Sequence, residues 1–230
     1  MSSPWNFTRI SLLGVALAAG TGSALAAGVA PPEPIIAIGT TDIDPTKYDW
    51  LTDQGRKALA DSVGQVKSGS LHASVFAAGP GGEYWSYRSA PKATDLFDLG
   101  DLARQALQSC QFYARFPCFI VAINGKEARD ANGGIPIQPS QLIEQPAAFD
   151  AATIPFLTVT DQRLLEGYGA EPKAKVMVIT PSGGWLWRTG DTVFAAMATA
   201  DTDCKKNYPN DTCIVYAVNN RVVYVPGAPN

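Results

Sequence analysis

Four cysteines, one histidine, a few recurring carboxylates and arginines, and two strand-like stretches rich in tryptophan and tyrosine are the side chains whose type and spacing bear on chemistry. Cys110-x7-Cys118 and Cys204-x8-Cys213 lack the short Cys-x2–4-Cys clips of structural zinc sites. They also lack the Cys-x-x-Cys spacing of a redox pair. In an exported chain four such cysteines are most simply two disulfides, in one of three connectivities. No metal and no cofactor is expected.

His72 is the only histidine, at the start of an expected strand, with Lys173 near the corresponding place later in the chain. A hydrolytic triad needs a base beside a nucleophile, and no serine stands in a Gly-x-Ser-x-Gly elbow. Ser182, in Pro-Ser-Gly-Gly, reads as a turn residue. Folding could gather carboxylates such as Glu83, Asp53 and Asp161, but Asp53 and Asp161 stand where helix caps belong. Arg56 and Arg163 recur and could hold an anion, with an ion pair to a nearby acid the simpler reading. Gly79-Pro-Gly-Gly82 lacks the Lys-Ser/Thr that follows a phosphate-cradling loop. No catalytic residue is assigned.

In a strand Trp85 and Tyr87 share a face with Tyr84 opposite, and Trp185 and Trp187 share a face. Trp85 and Trp187, aligned with each other, read as core packing on the cysteine-bearing helices. Tyr84, Tyr87 and Trp185 lack an aromatic counterpart in that alignment. With His72 they are the candidate ligand-binding residues.

The elements that must position these groups occur twice. Val193, Ala196, Met197, Ala200 and Cys204 fall on one helical face, with Thr192 or Asp191 as cap, before an apolar Cys213–Val218 strand and an Asn219-Asn220 turn. Leu99, Leu102, Ala103, Ala106, Leu107 and Cys110 make a cleaner stripe before Cys118–Ile123 and the hairpin signal Asn124-Gly125. Upstream of each lie an aromatic-Leu-Thr segment, a short helix and a Gly-Gly hairpin. The expected fold is α+β: two tandem α-β-β-α-β units, each a small antiparallel sheet packed on a helix, with a possible extra strand after the asparagine turn. Within each unit a Cys110–Cys118 or Cys204–Cys213 bridge would tie helix end to sheet, contributing about 2.5 kcal/mol by loop closure. The expected organisation is a signal peptide at 1–26, a Pro-rich arm at 27–43, unit 1 at 44–126, a linker at 127–150, unit 2 at 151–225 and a tail at 226–230.

The leader is read from Arg9, the apolar Ile10–Ala19 run and the small-residue site Ala24-Leu25-Ala26. Gly14, Gly20, Thr21, Gly22 and Ser23 break it too often for a membrane span. Cleavage near Ala26 would make the mature chain periplasmic or secreted. Losing Arg9, the only charge in the leader, moves the formal net charge from −3 to −4. Basic residues are neither in excess nor clustered, so no nucleic-acid partner is expected.

The order of motifs resembles a poorly characterised unit of exported proteobacterial proteins, with Ala-Leu-x-x-Cys before a second cysteine and Leu-Tyr-Ala-Val-Asn/Asp after it. Here the elements are Ala106-Leu107-Gln108-Ser109-Cys110 with Cys118-Phe-Ile-Val-Ala-Ile-Asn124, and Cys204 with Cys213-Ile-Val-Tyr-Ala-Val-Asn219. The second copy departs at Ala200-Asp201 and the first at Val121, where the tyrosine would fall. The resemblance implies export and a bacterial origin and assigns no catalytic residue. The expected function is a non-catalytic envelope binding or interaction protein whose partner is an envelope protein or a wall polymer. The alternative is an envelope-acting hydrolase with acidic residues in a cleft between the units.

Overall fold

The computed structural model describes residues 30–91, 98–129 and 132–226. The expected leader, the first residues of the arm, most of the 90–98 loop and the tail after Pro226 lie outside them.

The chain is a mixed helix-and-sheet protein of two similar halves. In the first, β1 (Ile38–Asp42) precedes α1 (Asp53–Lys67), β2 (Leu71–Ala78), β3 (Trp85–Pro91), α2 (Leu99–Ala114), β4 (Phe119–Ile123) and β5 (Lys126–Ala128). The second runs α3 (Val159–Leu164), α4 (Glu166–Ala170), β6 (Ala174–Ile179), β7 (Trp185–Gly190), α5 (Val193–Asn207), β8 (Ile214–Val218) and β9 (Arg221–Val222). Both sheets are antiparallel, in the orders β1-β5-β4-β2-β3 and β7-β6-β8-β9. Reversing the second gives β9-β8-β6-β7, the same order as β5-β4-β2-β3. Even the irregularity recurs, between Phe76 and Ala77 against β4 and between Met177 and Val178 against β8.

Local chemistry sets the elements. Thr52 accepts from the Gly55 N–H (3.1 Å) and Thr158 from the Asp161 N–H (2.9 Å), so threonine rather than Asp53 or Asp161 caps the first helix of each half. Thr192 caps α5 in the same way. Asn124 and Asn219 both adopt positive φ (51° and 52°), and each side-chain oxygen accepts from the neighbouring strand, at Ser74 N–H and Lys175 N–H. The asparagine turn is therefore also a clasp.

Both faces of each sheet are covered, where the sequence led us to expect one. Leu102, Ala103, Ala106, Leu107 and Cys110 of α2 pack on Val75, Ala77 and Ile120, while Leu59 and Val63 of α1 pack on Phe76, Ala78 and Val121 on the other face. In the second half α5 covers Val176, Val178 and Leu186, and Leu165 and Tyr168 lie over Met177 and Ile179. Burial along β2, β4 and β6 is nearly continuous, because successive residues point to alternate faces and both faces are covered.

Trp85 and Trp187 belong to the faces away from the cysteine helices, contrary to expectation. Trp85 stacks on Phe76 (5.7 Å) among the α1 contacts, and Trp187 meets Tyr168 edge-on (5.7 Å). Nor are they counterparts. Ala78 pairs with Trp85 and Phe76 with Tyr87, as Ile179 pairs with Trp185 and Met177 with Trp187. Trp185 thus answers Trp85, and Trp187 answers Tyr87. The Gly-Gly pairs misalign because Gly82 and Gly183 are equivalent: a Cβ on either would press on the carbonyl of Trp50 (2.3 Å) or Phe156 (3.2 Å). Two residues follow Gly82 before its strand, and one follows Gly183. Similarly, Arg56 is answered by Gln162 rather than Arg163: Arg56 donates to Leu51 O (2.6 Å), and Gln162 to Ile154 O (2.8 Å).

The arm and the linker are structural. β1 pairs with β5, and Ala147–Phe149 sit against β9 through the Phe149 N–H to Asn220 O and Val222 N–H to Ala147 O bonds. Gln138 and Gln141, within the expected linker, are buried.

The halves meet on α2. Its polar positions Gln105, Gln108 and Gln111 are buried, and Phe112 joins the second core against Phe156 (5.7 Å). Gln108 accepts from the Phe156 N–H (2.7 Å) and donates to Gln141 O, while Arg104 reaches Leu157 O (2.6 Å). The matching helix α5 buries only Ala196, Ala200 and Cys204.

Candidate functional site at the end of the second helix

The last turn of α2 is fixed from two sides. Cys110 is buried and bonded to Cys118, eight residues on, which leads into β4. Between them Arg115 ends the helix in the left-handed conformation (φ 62°), its N–H bonded to Gln111 O (2.9 Å). Phe116 and Pro117 are thereby held out as an exposed ridge. The second bridge, Cys204–Cys213, ties α5 to β8 in the same manner, but there Tyr208 ends the helix at φ −129°.

On one side of the ridge lies a hollow of about 490 Å³ lined by Gln111, Arg115, Phe116, Pro117, Ser140, Leu142 and Pro226. It draws on α2, the linker and the carboxyl-terminal segment together. Arg115 is exposed, with its guanidinium 5.0 Å from the Phe112 ring centre. Gln111 is 5% exposed; its side-chain oxygen accepts from Gln141 N–H (2.8 Å), while its amide nitrogen is buried without a partner. The buried Tyr224 hydroxyl is likewise unpaired. Burial pushes that phenol up to about 12, with the Arg115 cation pulling the other way.

On the other side is an apolar groove of about 360 Å³, lined by Pro80, Pro117, Cys118, Phe119, Ile135, Pro136, Ile137 and Gln138. Ile137 is 87% exposed. Tyr84 stands against Phe116 edge-on (6.4 Å) and is itself exposed, extending the apolar surface. In the second half Gly184 takes the place of Tyr84, and a Cβ there would strike the Tyr208 ring at 2.4 Å. Tyr84 thus has no aromatic counterpart.

The four sequence-derived binding candidates are spread apart. His72 is exposed at one end of β2 and Tyr84 lies beyond the other end, about 20 Å away at the rise of a strand. Tyr87 is half-buried on the α1 face with its hydroxyl toward Gln65. Trp185 belongs to the second sheet, where Tyr208 bonds its N–H and carbonyl (3.2 Å each). Only Tyr84 lies beside this surface, through its contact with Phe116. Sequence reading missed Arg115 and Gln111. Their signal is a glutamine stripe at 105, 108 and 111 on an otherwise apolar helix, followed by a cation inside the cysteine loop.

Carboxylates near the other hollows are largely engaged. Asp98 caps α2, Asp150 accepts from Ala152 N–H, Asp101 pairs with Arg104, and Glu127 holds Arg129 and Tyr48. Asp53 pairs with Arg56. Among the described residues no three His, Cys, Asp or Glu side chains gather as a metal-ligating group.

A polar knot joins the halves nearby. Arg88 donates to Pro181 O, and burial lowers its guanidinium to about 10. Asp211 accepts from Tyr113, Ser182 N–H and Thr212 N–H. Burial raises the Asp211 carboxyl, but hydrogen bonds from Ser182 and Thr180 outweigh it and the net shift is downward. Comparison with protein-family models, curated proteins and solved structures gives no match.

Proposed function

We propose that the chain is an exported, non-catalytic binding protein of the cell envelope that works through the surface at the end of α2. The observation that carries this reading is the pairing of the Arg115 hollow with the apolar groove beside Pro117, with the Tyr84–Phe116 ring contact between exposed aromatics next to them, on a loop pinned by a disulfide. Disulfides favour an oxidising compartment, and no helix among the described residues is long and apolar enough to cross a membrane. The leader pattern and the likeness to exported proteobacterial units point the same way, as does the matched order of the two halves, which we read as a tandem repeat. A hydrolase acting between the halves would need two available carboxylates, and the acids described above serve caps and ion pairs instead.

The test is expression in a proteobacterium with a carboxyl-terminal tag, followed by fractionation and amino-terminal sequencing. Processing near Ala26 and recovery outside the cytoplasm are expected; an unprocessed cytoplasmic product would defeat the export reading. Purified wild-type protein and the Y84A/F116A variant are then compared for retention on isolated sacculi and on detergent-solubilised envelope. Retention by wild type, reduced in the variant, is expected. Equal retention, or none from either source, would defeat the binding reading.

A further inference from the structure

We infer that the hollow at the end of α2 is a carboxylate site, taking an acid whose apolar body rests on Phe116, Pro117 and Leu142. This deepens the binding reading above and rests on it.

Arg115 and Gln111 bring unmatched donors to the hollow, while the unpaired acceptor Oε1 of neighbouring Gln141 belongs to a residue that does not line it. Arg115 offers a guanidinium with no acidic partner among the described residues, and the residues lining the hollow include no Asp or Glu. The Gln111 oxygen already accepts from Gln141 N–H, whereas its NH2 group is spare, so the unmet capacity of this side chain is chiefly that of a donor. A buried donor left unpaired is costly, so the spare Gln111 amide beside a guanidinium with no acidic partner among the described residues marks a place that a ligand acceptor would complete. A guanidinium presents a planar fork matched to a carboxylate. One cation and apolar walls suit a single negative charge on an apolar body better than a multiply charged phosphate.

The backbone of Arg115 adds an independent argument. A left-handed helix end is the usual place of glycine, because a Cβ there meets the following carbonyl oxygen. Arginine in that position (φ 62°) holds its side chain at the hollow despite this contact. The helix end of the other half lacks the left-handed conformation, stopping at Tyr208 with φ −129°, and its cations Lys205 and Lys206 belong to the last helical turn instead.

The experiment uses the full chain with both disulfides intact. N-acetyl-leucine and its amide are titrated by NMR, following the Gln111 side-chain amide; a tripeptide ending in leucine is titrated with a free and with an amidated carboxyl terminus. At least about tenfold tighter binding of free acid than amide is expected, since an ionised partner roughly doubles the strength of each hydrogen bond. The N-acetyl amino acid and the tripeptide separate a small-acid ligand from a peptide terminus. Arg115→Gly should reduce binding at least about tenfold without lowering the melting temperature, because glycine fits the left-handed helix end. Equal affinity for acid and amide, no binding of either acid, or undiminished binding by Arg115→Gly would overturn the inference. If acids fail while envelope material is still held through Tyr84 and Phe116, only the carboxylate assignment falls; if both fail, the binding reading falls with it.

Discussion

Asn124 and Asn219 show how much one residue can do in this chain. Each turns the backbone through positive φ and gives its side-chain oxygen to the strand beside it. The turn was legible, because asparagine before glycine or asparagine marks a hairpin. The clasp was not, since its partners Ser74 and Lys175 lie 50 and 44 residues away. Asn124→Ala should cost about 2 kcal/mol, because it loses the hydrogen bond and also the local side-chain support that lets asparagine, with its Cβ, hold the left-handed region. Asn124→Gly should cost less, since only the hydrogen bond goes. Urea unfolding of both variants checks the order; equal losses would mean that backbone strain contributes nothing. Lys175 was also illegible. It sits 2% exposed, with its ammonium donating to Tyr168 O and Glu171 O (2.6 Å each), and burial lowers it from the ordinary lysine value. A lysine between apolar strand residues reads as a solvent-facing position until the helix end it caps is seen.

At the scale of elements, α2 and α5 begin from like sequences and end with different duties. The apolar stripe of α2 was readable at helical spacing and does face its own sheet. What could not be read was the second buried face, because glutamine in a helix is ordinarily solvated. Gln108 is the test of that face. Gln108→Ala removes the acceptor of the buried Phe156 N–H and the donor to Gln141 O, for an expected loss of about 2–3 kcal/mol. Hydrogen exchange at Phe156 should speed up well before exchange in β2 or β4. Thr202, the exposed residue 94 positions later that bonds only Ala198 O, should tolerate alanine within about 0.5 kcal/mol. Exchange rising evenly through both halves of Gln108→Ala would show that the interface does not melt separately.

At the scale of the whole molecule, the described residues form two antiparallel sheets in a common order, and the order of elements along the chain was largely legible from periodicity and turn residues. The packing between halves was not, because it depends on side chains that sequence alone places on the surface. One consequence is an alkaline limit. Burial pushes Tyr48 and Tyr224 up to about 12, and raises Tyr168 and Tyr216 as well, from 10.0 in the unfolded chain. A raised phenol contributes stability fully below pH 10, and that contribution is lost as pH climbs toward the folded value, because the unfolded chain releases its protons first. Arg88 and Lys175, both lowered by burial, act in the opposite sense over part of that range. Four phenols outweigh two bases, so stability should fall by a few kcal/mol between about pH 10 and 12. Phenolate absorbance should rise in step with loss of near-ultraviolet dichroism; four tyrosines ionising in a chain that stays folded would contradict these burials.

The glutamine face of α2 also has a meaning in time. A chain emerging amino end first completes α2, β4 and the Cys110–Cys118 loop before Phe156 and Leu157 arrive to cover it. Through that interval a leucine-lined face would be an adhesive for any neighbouring unfinished chain. With Phe112 as its aromatic member, a face otherwise made of Gln105, Gln108 and Gln111 can instead wait largely hydrated and exchange its water for the second half on arrival. Polar side chains at the seam thus make the half-built protein safe to leave waiting.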